Sequence, residues 1–320
     1  MEVLLDQRLG GIDRYYLGNT DEALMLVPPE VRQCVVFIIY KSKSTKADKL
    51  AGTAFFVGIK GEEFGSNSVY LVTAKHVIDD IEKDSLDKKV YIRINQKDKP
   101  SVILQSNLNQ WKFHPSLSKP TDKGLYVDVA VLPWPRSAQI YDCLFIPSIG
   151  AVTTDVINSE GIGCGDEVFI TGLFIPHFGL QRNLPIIRIG NIACMPDEPV
   201  QTKDYGRIEA YLVEARSIGG LSGSPVFVHL SGLRKGKLSL GGEPIYWLGM
   251  VHGHYDLPEL ASLDILSTDD LVKLVINMGI AIVVPSTKIL EVLNQKELAE
   301  ARDKEDKIER QKRTPTPDSI

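Results

Sequence analysis

Apolar residues in this chain come in short β-branched and aromatic runs separated by polar turns, and that pattern predicts strands over most of the length. Residues 34–41, 52–60, 68–74, 89–95, 101–105 and 128–132 form a first series of six. Residues 167–173, 186–195, 208–214, 225–230, 245–251 and 279–284 form a second. Between them, residues 136–165 read as a connection, with Pro133, Pro135 and Pro147 as breakers. Six strands suit one small barrel. The expectation is therefore an all-β chain of two six-stranded antiparallel barrels, residues 34–135 and 166–285, with a cleft between them as the natural site.

Helical patterning is confined to the end of the chain. Ser267-Thr268-Asp269-Asp270 caps an apolar run to Ile276 and predicts a helix, about residues 265–278, inserted between the last two strands of the second barrel. It reads as a surface decoration, or else as a lid or partner-docking element. Residues 286–320 open on a helical run, Thr287 to Leu293. Mixed charge from Lys296 to Arg313 then predicts a solvated helix that frays into Thr314-Pro315-Thr316-Pro317-Asp318. The alternative for this tail is a tether to an activating protein partner. Residues 1–33 are an irregular lead-in.

Three segments carry candidate chemistry. Gly219-Gly220-Leu221-Ser222-Gly223-Ser224-Pro225-Val226 is a sharp turn that would expose the Ser222 hydroxyl, with the N–H groups of Gly220 and Ser222 as an oxyanion hole. Val72-Thr73-Ala74-Lys75-His76-Val77 delivers a histidine at the end of an apolar strand. Val127-Asp128-Val129-Ala130-Val131-Leu132 embeds an aspartate in an apolar β-type run. Either acidic or imidazole group alone reads most simply as structural, but the order His76, Asp128, Ser222 gives them a joint role. Two histidines lie in Gly249-Met250-Val251-His252-Gly253-His254. On a strand they would share a face, yet only Asp256 stands near to complete a metal shell, so no metal or other cofactor is assigned. His114, His177 and His229 read as structural.

These segments, with Gly52-Thr53-Ala54-Phe55-Phe56-Val57, resemble the chymotrypsin-like (trypsin-like) serine peptidases over about residues 34–292. The GxSGSPV form is most similar to the bacterial glutamyl-endopeptidase and HtrA-type branch. The resemblance implies a serine endopeptidase with catalytic His76, Asp128 and Ser222. It also implies a substrate pocket near Arg216, Ser217, His252 and His254, where Arg216 with a histidine would favour an acidic side chain unless it turns outward. Two positions depart from the family. Lys75 replaces a small residue and reads as solvent-facing. Leu221 replaces an Asp or Asn, the Asp being the residue that pairs with a processed N-terminus in zymogen-type relatives, so such processing is not expected to activate this chain. A silent protease-like binding module and an effector protease awaiting a partner are the competing readings.

Composition adds limits. Of 320 residues, 43% are hydrophobic and 24% charged, an ordinary globular mixture, and the net charge of −5 speaks against nucleic-acid or anionic-membrane partners. No signal peptide or membrane-length apolar run is read. Cys34, Cys143, Cys164 and Cys194 are widely spaced, which suggests free thiols and a cytoplasmic setting.

Overall fold

The structure, a computed structural model, describes residues 27–28, 30–61, 67–119, 125–135, 140–202, 204–215, 220–230, 233–234, 237–238, 245–258 and 275–313. The N-terminal half begins with a single turn, α1 (Glu30–Gln33). It continues with β1 (Val35–Lys41), β2 (Asp48–Lys60), β3 (Asn67–Thr73), helix α2 (Lys75–Asp84), β4 (Lys89–Gln96), β5 (Lys99–Asn107), β6 (Lys112–Phe113), β7 (Ala130–Trp134) and β8 (Ile146–Pro147). These strands make one eight-stranded sheet in the order β5-β4-β1-β2-β3-β7-β6, with β8 parallel to β2. All six strands of the first series are present. Among the described residues, however, no ladder joins β5 to the two-residue β6.

Helix α3 (Thr154–Glu160) starts at Thr153, whose side chain accepts from the Val156 N–H, and ends on Gly161 at φ 71°. Then come β9 (Glu167–Gly172), β10 (Ile186–Cys194), a small hairpin of β11 (Val200–Thr202) and β12 (Gly206–Ile208), β13 (Tyr211–Glu214), β14 (Pro225–His229), the short pair β15 (Leu233–Arg234) and β16 (Lys237–Leu238), β17 (Ile245–Pro258) and β18 (Val275–Pro285). Six of these close into a barrel, β10-β13-β18-β17-β14-β9. They are the six strands the apolar runs mark out.

Strand alternation explains how the halves join. Val168 and Ile170 on β9, Val226 and Val228 on β14, and Ala281 and Val283 on β18 fill the barrel interior. Their intervening neighbours Phe169, Phe227, Ile282 and Val284 are just as buried, but belong to the same core as the first sheet. Period-two patterning with both faces apolar therefore yields one barrel core and one interface core. Phe55 of β2 meets Trp247 of β17 edge-on, centroids 5.7 Å apart.

Several expectations change. Residues 275–278 are strand rather than the end of an inserted helix: Val275, Ile276 and Asn277 pair with Pro258, Leu257 and Asp256. Long-range pairing with β17 overrides the local helical pattern. The rest of that predicted insertion, and residues 314–320, lie outside the described residues. Asp128 precedes β7 instead of lying within it. Lys75 is not solvent-facing: its ammonium pairs with Asp79 at 2.6 Å and lies 4.9 Å from the Phe113 ring centre. Helices α4 (Ser286–Leu293) and α5 (Lys296–Arg313) follow the barrel. The first turns of α5 are docked rather than merely solvated, with Leu298 buried and Arg302 bonded to the Tyr70 hydroxyl. All four cysteines are free thiols. Burial pushes the Cys34 thiol up to about 12.

Candidate active site

The strand-to-helix junction places His76. β3 ends at Thr73, Ala74 caps α2, and His76 sits in the first turn. The helix forms because Val77, Ile78 and Ile81 supply one apolar face against the sheet. The first N–H groups of a helix have no partner within it. Here Asp128 supplies one: its Oδ1 accepts the His76 backbone N–H at 2.8 Å. Its Oδ2 contacts His76 Nδ1 at 2.7 Å. The same carboxylate thus fixes both the backbone and the ring of His76.

Asp128 takes two further bonds. The Tyr126 hydroxyl donates to Oδ1 at 3.2 Å, and His252 Nδ1 contacts Oδ2 at 2.5 Å. All four acceptor positions of the carboxylate are filled while the residue is fully buried. Burial alone would raise its pKa. The charges of His76 and His252 and their hydrogen bonds outweigh burial and hold Asp128 well below the usual carboxylate range. Desolvation lowers the proton affinity of His76, but Asp128, then Asp80 and Asp79, more than compensate, so its pKa lies above the ordinary imidazole value.

The serine turn is built against β2. Gly220 has φ 97° and Gly223 φ 83°, both in the region that favours glycine. A Cβ on Gly223 would stand 2.1 Å from the Thr53 carbonyl oxygen. Thr53 clamps the turn: its N–H donates to Ser222 O at 3.0 Å and its hydroxyl to Gly220 O at 2.9 Å. That hydroxyl also accepts from the Leu173 N–H. Leu221 is fully buried in the barrel core, which accounts for an apolar residue at this position. The Ser222 hydroxyl donates to the backbone carbonyl of His252 at 3.1 Å.

His76 and Asp128 are therefore in direct contact, and Ser222 joins them through His252. The sequence did not anticipate this role for His252, whose ring is turned onto Asp128. His254 is half-buried on the same strand. A bulge between Val251 and Gly253 breaks the two-residue alternation on which a shared face depended. Arg216 and Ser217 lie outside the described residues. Tyr126 and Tyr205 are absent from the sequence reading, and Thr53 enters it only as part of a motif, without its role as a clamp. Their partners are distant in the chain, and only the position of Tyr126 two residues before Asp128 could have signalled its contact.

Tyr205, from the β11–β12 hairpin, stacks on Tyr126 at 5.6 Å and lies 5.5 Å from the His76 ring centre and 5.3 Å from that of His252. It also borders an open pocket of about 760 Å³ lined by Asp79, Glu82, Lys83, Lys88 and Asp204. His76, Asp128 and His252 offer donor atoms of metal-ligating type. The nitrogen–oxygen separations of 2.5 and 2.7 Å fit shared protons. Ligands around a tetrahedral zinc stand farther apart, about 3.3 Å for zinc–ligand bonds near 2 Å.

No protein-family model matches the chain, and no curated protein does. Among solved structures, the crystal structure of Deg5 is similar at 14% identity and a TM-score of 0.41, covering 82% of this chain and 87% of that one. The MamO protease domain from Magnetospirillum magneticum, in its apo form, is similar at 13% identity and a TM-score of 0.41, covering 82% of this chain and 96% of that one.

Proposed function

We propose that the chain is a serine endopeptidase of the chymotrypsin-like kind, acting on protein or peptide substrates through an acyl-enzyme. The observation that carries this reading is the seating of His76 on buried Asp128 by both its backbone and its ring. With Nδ1–H committed to the carboxylate, the neutral ring presents Nε2 as a base. On rotation of its side chain, Ser222 Oγ gives its proton to Nε2 and bonds to the substrate carbonyl carbon. The Gly220 and Ser222 N–H groups receive the oxyanion. His76 then protonates the departing amine, and water repeats the sequence to free the acid. Asp128 keeps its charge and stabilises the imidazolium.

A second reading, a silent protease-like binding module, draws support from the Ser222 hydroxyl resting on the His252 carbonyl instead of on His76. Labelling with a fluorophosphonate probe separates the two. The active reading expects wild-type protein to label, and Ser222→Ala and His76→Ala to abolish labelling, in keeping with losses of about a millionfold when either member of such a triad is removed. Folded wild-type protein that does not label would favour the silent module.

A further inference from the structure

We infer that His252 is a positioning residue shared by both ends of the site, and that it couples its own proton to that of His76 through Asp128. The inference rests on the reading of His76 as base and Asp128 as its orienter.

His252 touches each member of the constellation. Its ring nitrogen Nδ1 is on Asp128 Oδ2, its carbonyl receives the Ser222 hydroxyl, and its ring meets His76 edge-on, centroids 5.1 Å apart. Only 6% of its surface is exposed. A carboxylate oxygen only accepts, so both imidazoles must carry hydrogen at Nδ1 to satisfy it. In both rings the proton that comes and goes is therefore the one on Nε2.

One buried negative charge thus serves two bases. The first proton to bind, on either ring, gains the full attraction of Asp128. The second meets a carboxylate already neutralised and a like charge about 5 Å away in a poorly screened setting. The two protons must then leave in two steps that belong to the pair. Among the described residues, the other groups facing His252 do not supply a second anion at contact: Tyr205 lies across its ring, Tyr126 takes the other oxygen of Asp128, and the adjacent Gly253 pairs with Ile282 on β18. Asp79, Asp80 and Asp204 act from greater range on His76 and Tyr205. His254 is the nearest other imidazole on the same strand.

The functional consequence has a definite sign. Below the upper midpoint the pair holds one proton. If His76 holds it, the base is lost. If His252 holds it, the charge of Asp128 is already spent and cannot favour a His76 imidazolium during reaction. Either way the site falls silent at the upper step.

The test is a pH titration of the full chain carrying ¹⁵N-labelled histidine, following Nδ1 and Nε2 by NMR. His76→Ala and His252→Asn assign the signals, and the asparagine amide keeps an N–H for Asp128. The expected wild-type result is two midpoints, separated by about one to two pH units, appearing in the signals of both rings. In His252→Asn, His76 should titrate in a single step, because the second proton site is gone. Single, independent midpoints in wild type would overturn the coupling, as would a His76 titration unchanged by His252→Asn. Should a variant fail to fold, the wild-type curves and the other variant still decide. No turnover is needed, so a site that does not label with fluorophosphonate leaves this test intact, and a labelled protein with uncoupled histidines would sink only the coupling.

Discussion

Thr53 is a fully buried residue whose N–H, hydroxyl and carbonyl are all engaged around the turn that carries Ser222. Its hydroxyl alone serves two backbone groups, Gly220 O and Leu173 N. Thr53→Val keeps the branched shape and removes that hydroxyl, leaving both groups without their partner. An orphaned buried group costs about 1–3 kcal/mol, and the cost falls on the segment that presents the Gly220 N–H. We expect Thr53→Val to slow fluorophosphonate labelling at least tenfold, with Thr53→Ser close to wild type. Equal labelling rates for Val and wild type would show that the turn holds its shape without this clamp. His252 illustrates what a sequence hides at this scale. A histidine within a strand carries no mark of a carboxylate that lies 124 residues earlier in the chain.

Among the elements, the barrel strands were the most legible because each is a run of β-branched and aromatic residues bounded by turn residues. Residues 225–229 and 245–251 could be read so directly because both faces of those strands are buried. Helix α2 has its signal in the sequence, since Val77, Ile78 and Ile81 lie at helical spacing, but the apolar strand over 68–74 dominates the pattern around His76. The β11–β12 hairpin, which brings Tyr205 over the histidines, is two strands of three residues and has no periodicity to read. For α5, charge density suggested solvent on every side, whereas one apolar residue and one arginine dock it. Leu298 is 3% exposed, Arg302 bonds Tyr70 and Leu293 O, and Lys112 pairs with Glu297 at 2.6 Å. The exposed ion pair contributes little, so the anchor is Leu298 with Arg302. Leu298→Ala should lower stability by about 2–3 kcal/mol in urea titration, while Lys296→Ala, at an exposed position, should change it by less than about 0.5 kcal/mol. Equal effects from the two would mean that α5 does not dock.

At the scale of the whole molecule, the site exists only while sheet and barrel are held in register, since His76 and Asp128 come from one and Ser222 and His252 from the other. The apolar interface supplies most of the attraction, but it is non-directional. Direction comes from a polar clamp at β4. Arg93 is 6% exposed, and its guanidinium reaches Leu180 O at 2.9 Å and Asn183 Oδ1 at 3.1 Å in the connection between β9 and β10. The Asn183 amide returns a bond to Arg93 O at 2.6 Å, and its N–H donates to Asn95 Oδ1 at 2.7 Å. Burial lowers the arginine pKa, yet a guanidinium keeps its charge and its planar fork. Arg93→Met fills similar space and leaves the acceptors unpaired, which should cost about 2–4 kcal/mol. The loss falls on docking and not on the interior of either half. We therefore expect wild-type protein to lose labelling and far-ultraviolet circular dichroism at the same urea concentration. The Arg93→Met variant should lose labelling first, while its strand signal persists. Coincident transitions in the variant would show that the two halves unfold as one unit whatever the clamp contributes, and that the alignment of Ser222 with His76 is set by the shared apolar core alone.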